Sequence, residues 1–422
     1  MSKPSHKQRL EHLASNAYLL FFPLGLAASV WGVLLWPAFY ARWIQWYPLE
    51  AHTRLMATGF AGCFIIGFLS TALPRLLGTQ SLRPLALLWH AALAITVIVC
   101  LVLNRVPLAD LLTALWWLGL MGTIGWSALH ERHDVPPPGF PVALASVLGG
   151  ALSALYLGAV GFGWLVPVGF WWMLSRLWLF QGVIWLAIIG VGPFILPRFF
   201  GARSLHDFDE SRILPRGWSR QFIGTVIAGS LLALSFVAEA RGLFSIGLGG
   251  RSAIVLVYFA FANPGIFRHH MPASLAWAIR VALLCGIAGW AAAGIFPQLR
   301  VGALHLAFIG CGLLILTVAV RVVLGHSDRL DRLQGRMRMF HLVSALGVLT
   351  ALTRLSADFL PEIRISHLVY AALCWVLVIA VWVWWLRREL RSPQAAPDHA
   401  PVPPAHRTNA VHETNDSLPG LL

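Results

Sequence analysis

Long apolar runs, separated by short polar segments, dominate the chain. A transmembrane helix requires about 20 mostly apolar residues, and twelve runs between the charged residues meet that requirement. The runs cover residues 17–39, 52–74, 84–103, 108–129, 141–160, 170–195, 220–238, 252–267, 274–295, 301–324, 337–357 and 366–386. A helix satisfies its own backbone hydrogen bonds inside the hydrocarbon. The pattern therefore predicts an all-α, polytopic transmembrane helix bundle of about 12 spans.

Four of these runs, the fifth, sixth, eighth and eleventh, are not bounded by charged residues in the simple way that the others are. Residues 135–175 contain no acidic or basic side chain and are too long for one span. Gly161, Gly163 and Pro167 are turn-forming residues within that stretch, and they predict a turn between two spans. The eighth and eleventh runs are the weakest predictions, because the eighth is short and Arg354 interrupts the eleventh.

The composition supports a membrane protein. The chain of 422 residues is 58% hydrophobic and 11% charged, whereas about 25% of an average soluble domain is charged. That difference excludes a soluble enzyme and a disordered or fibrous chain. The net charge of +14 comes from basic residues between the apolar runs, so we interpret it as a topology signal and predict no nucleic-acid partner. The five cysteines lie inside apolar runs and are interpreted as packing residues.

The distribution of Lys and Arg predicts the orientation. If the N-terminus is cytoplasmic, 19 of these residues fall in inside segments and 6 in outside loops. Inside segments are the more basic ones, so both termini are expected in the cytoplasm of a bacterium, with the spans in its inner membrane. The predicted organisation is a cytoplasmic N-terminus (1–16), a first six-span half (17–197), a basic cytoplasmic loop (198–219), a second six-span half (220–391) and a proline-rich, disordered cytoplasmic tail (392–422).

Histidines are the main chemical signal within the spans. Ionisable groups are costly inside a membrane, but a histidine can stay neutral and can ligate haem iron, copper or zinc. His52, His305 and His367 are expected at the outer ends of their spans, whereas His326 is expected at an inner end. His305 and His326 are 21 residues apart on one helix, a rise of about 31 Å. These two side chains cannot share one metal ion.

The residues below His52 allow two interpretations. On an ideal helix Met56, Gly59, Cys63 and Gly67 lie within about 60° of His52. Small residues below a ligand would let a flat macrocycle approach the backbone, and a thioether suits haem or Cu(I). The alternative is ordinary close packing of membrane helices.

Two alternatives likewise remain for the other polar groups of the spans. His305 and His367 either ligate or form hydrogen bonds between helices. Arg54 either binds an anion such as a haem propionate, pairs with an acid, or extends to the interface.

Two segments resemble the NnrS family, membrane proteins of the bacterial response to nitric oxide that carry haem and copper. The first segment, 52–78, reads HTRLMATGFAGCFIIGFLSTALPRLLG, and it is similar to a family segment that begins H-A-H-E-M and ends in a proline. The second, 305–329, reads HLAFIGCGLLILTVAVRVVLGHSDR, and it resembles a family helix that closes R-x-x-L-G-H-[ST]-x-R. The resemblance implies haem b and copper as cofactors.

The family motifs also imply site residues. His52 and Met56 match the first motif, and His305, Arg321 and His326 match the second. His52, His305 and His326 are therefore the expected metal ligands. The chain departs from the motifs at three positions. Arg54 replaces a family histidine, and Leu55 replaces a family glutamate. In the ninth span, Arg280 stands at the spacing after Trp277 where the family has a histidine. His367 is added to the expected cofactor-binding set by its depth alone.

The sequence leads to one expected function and two alternatives. The expectation is an integral membrane protein of the nitric oxide or nitrosative stress response that binds haem, with copper as a second expected cofactor. Its expected partners are the lipid bilayer, haem and nitric oxide, while the oligomeric state and any enzymatic activity remain open. The alternatives are a twelve-span secondary transporter and a haem-free membrane assembly or scaffold protein.

Overall fold

A computed structural model describes residues 5–201, 213–266, 274–327, 329–330 and 337–392. Within these ranges the chain forms a short helix, α1 (His6–Ser15), and twelve long helices. The long helices are α2 (Tyr18–Tyr40), α3 (Leu49–Leu77), α4 (Pro84–Val102), α5 (Val106–His130), α6 (Phe140–Gly161), α7 (Gly169–Phe200), α8 (Trp218–Ala240), α9 (Phe244–Ala262), α10 (Ser274–Ile295), α11 (Pro297–Gly325), α12 (Met339–Phe359) and α13 (Pro361–Arg391). Each of the twelve is long and apolar enough to cross a membrane. The predicted all-α bundle with twelve spans is confirmed.

The predicted bounds of the eighth span were wrong. Residues 252–267 were predicted, whereas α9 begins at Phe244 and ends at Ala262. Arg251 is one of the six basic residues that the sequence assigns to outside loops. In the structure it is fully buried within α9, and its Nη2 lies 2.8 Å from Oε2 of Glu239 on α8. A charge that is paired across helices does not end a membrane span. Moving Arg251 from a loop into a helix also increases the asymmetry of the loop charges.

The connections agree with the predicted division where they are described. The turn between α6 and α7 contains Gly163 at φ +75, a left-handed conformation that favours glycine. The predicted loop 198–219 lies largely outside the described residues, which stop at 201 and resume at 213, and residues 393–422 of the predicted tail also lie outside them. An even number of spans returns the chain to its starting side, and the cytoplasmic placement of that side stays a prediction.

Two glycines bring α10 and α11 into backbone contact. A Cβ at Gly289 would lie 2.5 Å from the amide nitrogen of Ala307, and a Cβ at Gly310 would lie 2.6 Å from the carbonyl oxygen of Ala282. Helices in lipid pack through such small residues, because apolar side chains gain little by leaving the hydrocarbon. This close approach fixes the position of α11, the helix that carries His305.

Two helices contain a π-helical segment, Leu55–Ala61 in α3 and Trp178–Gly182 in α7. The two segments contact each other. Each segment departs from the regular α-helical period. Such π turns inside α-helices are frequently found at functional sites. Both lie toward the end of the bundle where α2 ends and α3 begins, which we call the His52 end.

A buried polar network joins five helices at the His52 end. Arg251 donates to Glu239 on α8 and, through Nη1, to Oε1 of Gln181 in the π-helical segment of α7, at 2.7 Å. Trp290 on α10 donates to the same oxygen of Gln181 at 3.1 Å, and Arg300 on α11 lies 3.3 Å from Glu239. The carboxylate of Glu239 neutralises Arg251, and both side chains are fully buried from solvent. The network therefore stabilises the packing of α7 to α11.

Glu239→Gln should destabilise the protein by about 3–5 kcal/mol, because it leaves the buried Arg251 without a counterion. The midpoint of thermal unfolding in detergent measures the effect. Arg300→Gln is the matched control, since the Arg300 side chain is 29% exposed and its pair with Glu239 is longer, and it should cost about 1 kcal/mol or less. Equal midpoints for the two variants would contradict this interpretation of the network.

Candidate functional site

The structure brings His52 and His305 together. His52 lies in the first turn of α3 and His305 near the beginning of α11. Their ring centroids are 6.4 Å apart, and the ring planes differ by 14°. Two residues separated by most of the chain thus form a pair of nearly parallel imidazoles at the His52 end, which we call the His pair.

Backbone carbonyls hold one nitrogen of each ring. Nδ1 of His52 lies 2.8 Å from the carbonyl oxygen of Gly32 on α2, and Nδ1 of His305 lies 2.7 Å from that of Val301. A carbonyl oxygen only accepts, so Nδ1 carries the proton in both rings and donates it. In the neutral form of each ring, the lone pair then lies on Nε2. Metal-ligating histidines commonly have this arrangement, in which one nitrogen binds a fixed acceptor and the other binds the metal.

The separation of the rings matches two ligands of one metal. With metal–nitrogen bonds of about 2.0 Å, imidazoles on opposite sides of a metal ion have ring centroids about 6.4 Å apart. The observed separation is 6.4 Å with nearly parallel planes. The His pair is thus spaced as the two axial ligands of one metal would be.

Aromatic side chains surround the pair. Trp36 on α2 lies edge-on to His52 at 5.9 Å and also contacts Tyr47, and Phe308 lies edge-on to His305 at 6.0 Å. Across the ranges that the structure describes, no group of three or more His, Cys, Asp or Glu side chains could hold a metal ion. The pair therefore offers two ring nitrogens, each beside one aromatic side chain.

Met56 lies next to the residue that anchors His52. A Cβ at Gly32 would be 3.2 Å from Sδ of Met56, so the thioether packs directly on Gly32. The small residues farther along α3 pack against α2, since a Cβ at Gly59 would be 2.8 Å from Cβ of Ala28 and one at Gly67 would be 3.0 Å from Cβ of Phe21. The glycines of the predicted stripe thus serve helix packing, the second of the two interpretations.

Arg54 forms ion pairs with two carboxylates of the protein, those of Asp110 and Glu50. Its Nε and Nη2 donate to the two carboxylate oxygens of Asp110 on α5 at 2.6 and 2.7 Å, and its Nη1 donates to Glu50. Arg176 on α7 also donates to Glu50, at 2.7 Å. Arg54 and Asp110 are both buried. Of the alternatives for Arg54, the structure shows pairing with acids, and neither Asp110 nor Glu50 was predicted as its partner.

His367 forms a hydrogen bond with a serine of the preceding helix. Its Nδ1 lies 2.6 Å from the hydroxyl oxygen of Ser356 on α12, and its ring contacts Tyr370 on its own helix. The predicted depth of His367 did not identify its partner, because that partner depends on how α12 and α13 pack.

His326 and Arg321 lie toward the opposite end of α11, about 31 Å and about 24 Å from His305 along the helix. Nδ1 of His326 lies 2.7 Å from the carbonyl oxygen of Val322, and its ring contacts that of Tyr18 at 5.1 Å. Burial lowers the pKa of His326, so the ring stays neutral. Its Nε2 is buried and has no hydrogen-bond partner among the described residues. The guanidinium of Arg321 lies over the ring of Phe199.

An apolar cavity of about 110 Å³ lies deeper in the bundle. Side chains of α2, α3, α7 and α11 line it, including Phe64, Ile188 and Ile315. Phe64 is 12 residues beyond His52 on α3, a rise of about 18 Å. This cavity is therefore separate from the His pair.

These features define a multi-pass α-helical membrane protein with two nearly parallel imidazoles at one end of its bundle. The family model described as NnrS protein matches residues 12–394. The chain therefore belongs to the NnrS family, which confirms the resemblance seen in its two motifs. The search of curated proteins gives no match.

Gly32→Ala should destabilise the protein by about 1–3 kcal/mol, because the added methyl group would meet Leu55 at 3.1 Å and Met56 at 3.2 Å in a packed core. It should also weaken the anchor of His52. The midpoint of thermal unfolding measures the loss, and Gly122→Ala on α5 is the control, since its Cβ would meet nothing within 4 Å. A Gly32→Ala variant as stable as the Gly122→Ala variant would contradict the close packing at Gly32.

Proposed function

We propose that the protein is an integral haem-binding protein of the bacterial cytoplasmic membrane, acting in the response to nitric oxide, and that His52 and His305 hold the iron of one haem b. The observation that carries the proposal is the geometry of the His pair, with centroids 6.4 Å apart and planes within 14°. Membership of the NnrS family supports the association with nitric oxide.

The donor set of the His pair fits haem. The porphyrin supplies four nitrogens, so two imidazoles complete the coordination of the iron. Both Nδ1 atoms bind backbone carbonyls, so Nε2 of each ring is the atom that would bind the iron. The Gly32 carbonyl orients the donor on α3, and the Val301 carbonyl orients the donor on α11. When bound, haem iron would supply the capacity to change redox state or to bind a small diatomic molecule.

The bilayer supports a role in binding nitric oxide. Nitric oxide is small and weakly polar, so it dissolves readily in hydrocarbon. A site carried on membrane helices among Trp36 and Phe308 would meet this molecule from the lipid phase. The aromatic wall would also limit the access of water to the His pair.

Copper is the second candidate occupant of the His pair. Met56 packs on Gly32, the residue that anchors His52, so a thioether lies close to one of the two imidazoles. Imidazole and thioether donors suit Cu(I). Metal analysis distinguishes the two occupants, since haem brings one iron per porphyrin and copper brings no porphyrin.

The purified protein should show a Soret band and, when reduced, α and β bands. His52→Ala and His305→Ala should each reduce the haem content several-fold, because each removes one of the two axial ligands. His367→Ala is the matched control, since His367 binds Ser356, and it should retain haem. Porphyrin content is measured by the pyridine haemochrome spectrum.

Unchanged haem content in both His52→Ala and His305→Ala would contradict the proposed ligands. A wild-type protein that contains copper and no porphyrin would instead favour the second occupant. A wild-type protein without either cofactor would favour the transporter or scaffold alternatives.

A further inference from the structure

A buried arginine lies beside the His pair on a third helix. Arg354 is 8% exposed and lies near the end of α12 that faces the beginning of α11. It is close enough to His52 and His305 to interact electrostatically with both rings. It interacts in the same way with Tyr40 at the end of α2. The guanidinium therefore adds a positive charge beside the two imidazoles.

Asp358 holds Arg354 in this position. Nη1 of Arg354 donates to Oδ1 of Asp358 at 2.9 Å, and Oδ2 of Asp358 accepts from the amide of Gly302 at 2.6 Å. Gly302 lies in the first turn of the α-helical part of α11, which begins at Arg300, about one turn before His305. The carboxylate thus ties Arg354 to the helix that carries one of the two proposed ligands. Because the Asp358 carboxylate also binds the positively polarised N-terminal end of α11, it neutralises Arg354 only in part.

Arg354 and Arg54 differ in whether the Nε–Nη2 edge of the guanidinium is used in a hydrogen bond. Arg54 uses Nε and Nη2 as a fork on Asp110. Within the described ranges, the structure gives Nε and Nη2 of Arg354 no hydrogen-bond partner, because its one bond is made by Nη1. This edge of a guanidinium matches a carboxylate with two parallel hydrogen bonds. A buried arginine with this edge available is suited to bind an anion.

We propose that Arg354 binds a carboxylate of the molecule held at the His pair, namely a propionate of haem. This inference rests on the proposed function. Asp358 fixes the guanidinium, whose open edge would bind the propionate, and His52 and His305 would hold the iron. No other arginine within a described span combines burial, closeness to both rings and an open fork, since Arg54 and Arg251 are paired with Asp110 and Glu239.

Comparing haem b with its dimethyl ester tests the proposal, because the ester has the same ring and iron but no carboxylates. The haem-free, full-length protein in detergent is titrated with each compound. Wild type should bind haem b about tenfold or more tightly than the ester, as expected for a hydrogen bond between charged groups. Arg354→Gln should reduce this ratio to about 1, chiefly by weakening the binding of haem b.

Two further variants control the experiment. Arg364→Gln removes an exposed arginine at the same end of the bundle, and it should keep the wild-type ratio. Arg354→Lys retains a charge that can pair with Asp358 but loses the fork, so it should fold and give an intermediate ratio. It replaces Arg354→Gln if that variant does not fold.

The proposal is overturned if wild type binds both compounds equally, or if Arg354→Gln keeps the wild-type preference for haem b. A wild-type protein that binds neither compound would instead overturn the proposed function itself. Binding of both compounds with equal affinity would leave the haem site standing and reject only the role of Arg354.

Discussion

The hydrogen bond from His52 to the carbonyl of Gly32 is the interaction on which the candidate site depends. It joins α3 to α2 at 2.8 Å and places a proton on Nδ1. Nε2 is then the nitrogen that would bind a metal. Gly32 can take this role because its lack of a side chain lets Leu55 and Met56 approach. The corresponding bond from His305 to Val301 lies within one turn of α11. The site therefore requires α2, α3 and α11 to hold their packing.

The charged groups of the spans divide into two roles. Arg251 with Glu239 and Arg54 with Asp110 are buried pairs that join helices, and a charge inside a membrane persists when it is paired in this way. Arg354 is also paired, with Asp358, but it keeps two donors beside the His pair. This difference separates the ion pairs that hold the bundle from the arginine that we assign to a ligand.

The sequence predicted the spans well because hydrophobic length is a local property of the chain. It failed at α9, where the pairing of Arg251 with Glu239 on another helix cancels the charge that had marked a boundary. The common depth of His52 and His305 was also predictable, but their contact depends on tertiary packing. For the same reason, the partners of Arg54 and His367, Asp110 and Ser356, could not be read from the sequence.

The electron paramagnetic resonance spectrum of the oxidised protein at low temperature tests the central claim most directly. Two axial imidazoles with nearly parallel planes, as in the His pair, give a rhombic low-spin ferric signal. We expect that rhombic signal. A high-spin ferric signal, or the strongly axial low-spin signal of perpendicular imidazoles, would contradict it.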